Sequence, residues 1–145
     1  MVAGFEDLRT GVHVCRGNWS KRDDVLLTGD YGPLVPTFAA MRVAQLVLEF
    51  ATPRAGELRV VGEALAAREI GLGVVNPRTD TIEAPEEIVA RVEEALRYYR
   101  PDQVFLNPDC GFACFANRGV SDDSTAAGKL RVMVEAARRL REKYA

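Results

Sequence analysis

The chain contains few of the residues on which imidazole chemistry or disulfide bonding depends. Among its 145 residues are one histidine, His13, and three cysteines. An odd cysteine count, with no secretory signal opening the chain, argues against a disulfide framework and leaves reduced thiols, metal ligands or buried apolar side chains. No apolar run approaches the roughly 18 residues that a membrane span needs. We therefore expect a cytoplasmic protein without a membrane partner.

A strong charge of either sign is also missing. The 19 Lys and Arg residues against 21 Asp and Glu residues give a net charge of −2, so no nucleic-acid or anionic-membrane partner is predicted. The length and ordinary apolar content suit one globular domain, and we expect a single domain over residues 1–145.

Four short apolar runs alternate with four stretches of helical pattern along the chain. The predicted strands are residues 11–15, 45–50, 70–75 and 103–106. The predicted helices run over residues 33–43 and 55–66, from 85 to about 99, and from a cap at Asp123 or Ser124 to about 140. This alternation predicts an α/β fold with a parallel sheet covered by helices.

Two architectures fit four such units: a small, open, doubly wound sheet, or half of a TIM (β/α)8 barrel. No glycine-rich phosphate loop follows the first predicted strand, which weakens a nucleotide-binding version of the open sheet. Gly71 and Gly73 lie inside a predicted strand instead. We interpret them as positions where a ligand or neighbouring backbone comes close.

Four potential metal ligands map to one edge of the predicted sheet. His13 and Cys15 are two residues apart on a strand and therefore share a face. Glu49 ends the second predicted strand, and Cys110 follows the fourth. Because the carboxyl ends of parallel strands meet at one edge, these groups can converge. Two thiolates, an imidazole and a carboxylate form a sensible tetrahedral zinc set.

Each of these residues also has a simpler interpretation. A lone strand histidine is more often a hydrogen-bonded core or surface residue, and a free cysteine is usually a small buried apolar side chain. Glu49 can cap a loop or pair with Arg54. Cys114 is a spare ligand, a redox partner or a packed thiol between neighbouring phenylalanines. A metal-free α/β domain therefore stays an alternative at this stage.

Three motifs resemble the C-terminal catalytic domain of cobalamin-independent methionine synthase. They are residues 12–18 (Val-His-Val-Cys-Arg-Gly-Asn), 46–49 (Leu-Val-Leu-Glu) and 107–111 (Asn-Pro-Asp-Cys-Gly), and the closing segment 129–137 is similar too. The resemblance covers essentially the whole chain in the same order. Epoxyalkane:coenzyme M transferases are similar around the same motifs, so the identity of the thiol stays open.

The resemblance implies a zinc ion bound by His13, Cys15, Glu49 and Cys110. It implies methyl transfer from a 5-methyltetrahydrofolate derivative to homocysteine, with zinc keeping the thiol as thiolate. Glu49 is then the labile ligand, because a hard carboxylate competes poorly with sulfur. Asp109 and Asn18 flank the ligands as candidate hydrogen-bond partners, and Asp109 and Glu49 are the candidate catalytic residues.

The resemblance also implies half of a methionine-synthase-type barrel, since the chain supplies four of the eight units. Two edge strands would stay unpaired, which favours a homodimer or pairing with a complementary half barrel. The alternatives to methyl transfer are alkyl transfer to coenzyme M or another thiol, and a non-catalytic half-barrel module with a structural zinc.

Overall fold

A four-stranded parallel sheet forms the centre of the protein. The computed structural model describes residues 7–113 and 115–144, so Cys114 lies outside the described residues. The strands are β1 (Gly11–Val14), β2 (Gln45–Glu49), β3 (Glu69–Val75) and β4 (Val104–Pro108). Each is parallel to its neighbour. The predicted α/β fold is confirmed.

The strands follow one another across the sheet in the order β1-β2-β3-β4. A doubly wound sheet reverses its strand order at a switch point, whereas sequential right-handed crossovers place every helix on one face. The chain is therefore built from four barrel-type βα units, and the doubly wound alternative is excluded.

The two faces of the sheet differ as the alternation of side chains predicts. Leu46, Leu48, Ile70 and Leu72 are buried on the outer face, beneath the helices. The opposite, inner face carries His13 and Glu49, together with the glycines of β3. A Cβ on Gly71 would lie 2.8 Å from Val47 Cγ2 and 2.9 Å from Asn107 Oδ1, so side chains of both neighbouring strands cover this position. The predicted close approach of neighbouring backbone is found at Gly73, where a Cβ would lie 2.8 Å from Leu48 O, whereas the close neighbours of Gly71 are side chains.

The first two helices are shorter than predicted. Helix α1 (Val35–Ala40) is preceded by a 3₁₀ turn and ends where Met41 becomes extended. Residues 41–43 leave the helix because the Arg68 guanidinium binds the carbonyl oxygens of Ala39 and Val43, and Ala44 N donates to Thr10 O as β2 begins. Helix α2 (Leu58–Leu65) starts three residues late, because a 3₁₀ turn at Pro53–Ala55 stops at Gly56, whose φ is 82°.

The last two helices begin close to the predicted residues but end elsewhere. Helix α3 (Pro85–Ala95) begins at the predicted proline and ends at Ala95 rather than near residue 99, and α4 (Asp123–Tyr144) ends at Tyr144 rather than near residue 140. The predicted cap of α4 is wrong by one residue: Asp122 Oδ1 accepts from Thr125 N at 2.7 Å, so Asp122 is the capping side chain. In the described part of the chain, no helix is both long and apolar enough to span a bilayer.

Helix α4 leaves part of its apolar face open. Val134 is 65% exposed. It lines a groove with Met133 and with Val104 and Leu106 of the edge strand β4. The groove follows from the sheet ending at β4, since no fifth strand within the described residues covers this side.

Candidate metal centre

Three of the predicted ligands converge at the carboxyl edge of the sheet. His13 lies on β1, Cys15 follows that strand directly, and Cys110 follows β4 by two residues. Their ligand atoms all lie within 4.8 Å of one another. The two sulfur atoms, Cys15 Sγ and Cys110 Sγ, are 3.6 Å apart. Chain segments 95 residues apart therefore deliver one cluster of donor atoms.

The sulfur–sulfur distance identifies the kind of contact. A disulfide bond measures about 2.05 Å, so the cysteines are not bonded to each other. Two thiolates held tetrahedrally at about 2.3 Å from one zinc ion stand roughly 3.8 Å apart. The observed 3.6 Å therefore fits two ligands of one metal ion.

The His13 ring is oriented by a main-chain contact. Its Nδ1 lies 3.2 Å from the carbonyl oxygen of Val47 on β2. A carbonyl oxygen only accepts, so this contact requires the proton on Nδ1 and leaves the lone pair on Nε2. A carbonyl partner of this kind fixes the tautomer of histidines that bind metals.

The group of three donor residues is accessible to solvent. His13 and Cys15 are exposed and Cys110 is half-buried. Two thiolates and an imidazole suit zinc, and a site with three protein ligands retains a position for a further ligand. The donors present therefore fit a catalytic rather than a closed zinc site.

Glu49 lies at the same edge but outside the three-residue group. Its side chain is 1% exposed, and both carboxylate oxygens are engaged. Oε1 accepts from Arg16 N at 2.8 Å, and Oε2 accepts from Arg54 Nη2 at 3.3 Å. The pairing with Arg54, one of the two simpler roles considered for Glu49, is present. Metal binding by Glu49 stays a prediction.

Asp109 ties the ends of β2 and β4 together. It is 1% exposed, and its Oδ1 accepts from Phe50 N at 3.0 Å and Ala51 N at 2.9 Å. Burial raises the pKa of this carboxyl to about 7, and the nearby charge of Glu49 adds to the rise. Its side chain thus holds the main chain beside Glu49, and its own main chain leads into Cys110.

Asn18 is buried in the loop that follows Cys15. It is 1% exposed, and neither its Oδ1 nor its Nδ2 has a hydrogen-bond partner within the described residues. The sequence placed Asn18 beside the ligands as a hydrogen-bond partner, and no such bond is formed here. A buried amide without partners is costly, so this side chain is suited to a partner from outside the described chain.

Two further residues support the site and were given no firm role by the sequence. The buried Arg16 guanidinium donates to Leu27 O at 3.2 Å and also to Gly29 O, and it lies 5.1 Å from the Tyr31 ring centroid. The Tyr31 hydroxyl in turn accepts from Glu49 N at 2.9 Å. The signal that could have revealed Arg16 is its place directly after Cys15, since a charge at a buried strand end needs several partners.

The amino-acid sequence of the chain is similar to one protein family and to several characterised or catalogued proteins. The family model described as "Cobalamin-independent synthase, Catalytic domain" matches residues 7–139. The methionine synthase of Pyrococcus abyssi is 33% identical over 135 residues, which cover 93% of this chain and 34% of the relative. The "Uncharacterized protein YxjG" of Bacillus subtilis is 32% identical over 136 residues, covering 91% of this chain and 35% of the relative.

A solved structure shares the fold. It is that of a B12-independent methionine synthase from Shewanella sp. W3-18-1 in complex with selenomethionine, and it aligns with a TM-score of 0.82 at 20% sequence identity. The alignment covers 98% of this chain and 41% of the solved one. The chain thus spans about a third of the length of the curated relatives it matches.

Proposed function

The chain belongs to the family of cobalamin-independent synthase catalytic domains, and we propose that its three-donor site binds zinc and activates a thiol for methyl transfer. The acceptor in this proposal is homocysteine and the donor is a 5-methyltetrahydrofolate derivative. The observation that carries the proposal is the convergence of His13, Cys15 and Cys110 within 4.8 Å at an open edge of the sheet.

A thiol acceptor needs activation at neutral pH. An ordinary thiol has a pKa near 8.5 and is mostly protonated, whereas the thiolate is the nucleophile. Bound zinc supplies a Lewis acid that lowers the pKa of a coordinated thiol until it stays deprotonated. The side chains contribute two cysteine thiolates, which balance the double charge of the ion and would keep an incoming thiolate electron-rich, while the charge of Glu49 is paired with Arg54.

The proposed roles follow from where the side chains lie. His13, Cys15 and Cys110 would hold the metal, and Glu49 would be its exchangeable fourth ligand. Asp109 positions the main chain that directly follows Glu49 through its bonds to Phe50 N and Ala51 N. The domain over residues 1–145 then corresponds to the second half of the catalytic barrel.

The transfer itself is a displacement at carbon. The homocysteine sulfur, having lost its proton to solvent, attacks the methyl carbon and forms a sulfur–carbon bond. The bond between that carbon and the donor nitrogen breaks, and the nitrogen keeps the electron pair and takes up a proton. The products are methionine and the demethylated folate.

Two alternatives are retained. The same site could activate coenzyme M or another thiol for alkyl transfer, because the three donors do not select one thiol. The second alternative is a non-catalytic half-barrel module, in which the same donors hold a structural zinc.

The test is methyl transfer to L-homocysteine at neutral pH, with a methylated folate and, separately, methyl iodide as donor. We expect the zinc-loaded protein to accelerate methionine formation from methyl iodide, because this small donor needs no folate-binding surface. Cys110→Ala should lose the acceleration, whereas Gly111→Ala should retain it. Equal rates with and without the protein would favour the non-catalytic module.

Within residues 7–113 and 115–144, β1 and β4 form the edges of the sheet without a further strand beside them, which supports a proposal of association, either as a homodimer or with a complementary half barrel. The edge strands present unpaired main-chain groups, and the groove beside β4 is apolar. Sedimentation at micromolar concentration should show a species of twice the chain mass for the homodimer.

A site built on two reduced thiols also suits a reducing compartment, and we propose the cytoplasm.

A further inference from the structure

The carboxylate of Glu49 is held next to the three-donor group without belonging to it. Its Oε1 is bound by the main-chain nitrogen of Arg16, the residue that directly follows Cys15. Its Oε2 is bound by the guanidinium of Arg54 at 3.3 Å. Glu49 is thus bonded to the residue next to a thiol donor, and both of its carboxylate oxygens are hydrogen-bonded to arginine residues rather than directed at the donor group.

The Arg54 guanidinium is itself fixed in place. Its side chain is 18% exposed, and Nη1 also donates to Arg16 O at 3.3 Å and lies 3.5 Å from Leu27 O. The main chain of Arg54 forms the 3₁₀ turn after β2 and is bound in return by the Arg16 guanidinium, which donates to Arg54 O at 3.3 Å. These contacts hold the Arg54 guanidinium in place independently of Glu49. Little side-chain entropy is therefore lost when Arg54 and Glu49 form the ion pair.

A buried carboxylate that leaves a metal ion needs other groups to stabilise its negative charge. Glu49 is almost fully buried, and a buried carboxylate without a counter-charge is strongly destabilised. In the observed arrangement, Arg54 supplies the counter-charge and Arg16 N supplies a main-chain hydrogen bond. Both partners lie next to the three candidate metal ligands, and Glu49 is not one of that group.

We propose that Arg54 is a positioning residue that receives the Glu49 carboxylate when a thiol takes the fourth place at the metal. This inference rests on the proposed zinc site. Glu49 has two positions, one on the metal and one between Arg54 and Arg16 N, and the second is the arrangement described here. Arg54 favours thiol binding by stabilising that second position, and it acts through Glu49 rather than by touching the thiol.

The proposal makes a specific coupling testable. Without Arg54, Glu49 loses the charge-assisted bond of its second position and stays on the metal, so the thiol has to displace it at greater cost. A hydrogen bond to a charged group is worth enough for the apparent Kd of the thiol to rise about tenfold. Zinc affinity should be unchanged or higher. When Glu49 is replaced by glutamine, the carboxylate no longer competes, and removing Arg54 should then change the thiol Kd by less than about twofold.

The experiment uses Co²⁺ in place of zinc and L-homocysteine as the thiol, with the growth of thiolate-to-cobalt absorption as readout. Arg54→Leu is compared in the natural background and together with Glu49→Gln. Arg54→Lys should recover part of the affinity, because it restores the charge without the fork of donors. Arg59→Leu, at an exposed arginine on α2 paired with Glu57 and Glu63, is the matched control and should leave the Kd unchanged.

Each outcome decides the proposal. A loss of thiol affinity in the natural background that disappears with Glu49→Gln supports it. An equal loss in both backgrounds overturns it, since Arg54 would then contact the thiol or merely support the loops, and no loss in either overturns it too. If the natural protein binds cobalt and homocysteine but Arg54→Leu has no effect, the inference fails while the proposed function stands. If it binds no metal, both fail.

Discussion

Replacing Gly73 by alanine tests how closely the ends of β2, β3 and β4 are packed behind the metal site. Gly73 lies on β3 with an ordinary backbone conformation, so a side chain causes no strain in φ. A Cβ at this position would overlap Asp109 Oδ1 and would lie 2.8 Å from Leu48 O and 3.1 Å from Glu49 Cα. Two of these three neighbours are main-chain atoms of β2 and cannot move independently of the sheet.

The expected cost follows from what Asp109 would lose. Its Oδ1 accepts from Phe50 N and Ala51 N. Displacing the carboxylate removes the acceptor of Ala51 N, whereas Phe50 N also donates to Gly73 O at 3.2 Å. Each buried, unsatisfied group costs about 1–3 kcal/mol, and forcing an extra methyl into packed surroundings costs a similar amount. We therefore expect Gly73→Ala to lower the free energy of unfolding by about 3 kcal/mol, a large share of the 5–15 kcal/mol typical of a domain.

The assay is urea denaturation of the metal-free protein followed by circular dichroism. With a slope of about 1.5 kcal/mol per molar urea, the midpoint should fall by about 2 M. Gly111→Ala is the matched control, because a Cβ there meets no atom within 4 Å and the backbone needs no positive φ. It should change stability by less than about 0.5 kcal/mol. Equal midpoints for the two variants would refute the packing of Asp109 against β3.

Three further outcomes are expected. Lys129→Ala should cost about 3 kcal/mol in urea denaturation, because the fully buried Lys129 Nζ lies 3.0 Å from Glu83 and its loss leaves that carboxylate unpaired; an unchanged midpoint would contradict this. Burial raises the pKa of Tyr99 to about 12, against about 10 when unfolded, so its contribution to stability is intact below pH 10 and is lost as the pH rises to 12. Tyr99→Phe should lower the phenolate absorbance that develops near pH 12 by the share of one tyrosine, because burial also raises the pKa of Tyr31 to about 12 and its signal remains. A loss of absorbance near pH 10 instead would refute the burial argument. In the metal-free protein, hydrogen peroxide should join Cys15 to Cys110 in a disulfide, because their sulfur atoms are 3.6 Å apart. Peptide mass analysis should show the loss of two hydrogens. Bound zinc should slow this oxidation, and rapid oxidation of zinc-loaded protein would count against metal binding by both cysteines.

The strands were predictable because their chemistry is local. Runs of β-branched and leucine residues bounded by glycine, asparagine and proline mark elements buried on the outer face, and β2 and β3 lie within one residue of the predicted bounds. Periodicity alone could not choose between an open sheet and barrel-type units, because both have the same alternation, and only the resemblance of the motifs favoured the barrel. Strand order decides this question, and it is a property of the tertiary structure.

The helix ends and the cap of α4 were less accessible to sequence reasoning. Helix α1 stops at Ala40 because Arg68, 28 positions further along, binds the carbonyl oxygens of Ala39 and Val43. For α4, three successive residues, Asp122 to Ser124, are all good caps, and hydrogen-bond geometry selects the first. Both outcomes depend on contacts that hydrophobic periodicity does not encode.

The convergence of the three donor residues was predictable and the surroundings of Glu49 were not. His13, Cys15 and Cys110 converge because period-two alternation and the shared edge of parallel strands are general rules. The partners of Glu49 depend on the conformation of the loop after β1 and of the turn after β2, where Arg16 N and Arg54 lie. The sequence offered Arg54 as one partner but gave no reason to expect Arg16 N as the other.

The central claim is that His13, Cys15 and Cys110 hold one zinc ion, with Glu49 as an exchangeable neighbour. The most direct measurement is zinc per chain by elemental analysis, before and after mild chelation, on protein purified without a metal-binding tag under reducing conditions. We predict about one zinc per chain in the natural protein and in Glu49→Ala, and loss of most of it in His13→Ala and Cys110→Ala. Zinc retained in full by Cys110→Ala, or no zinc in the natural protein after reconstitution, would contradict the claim.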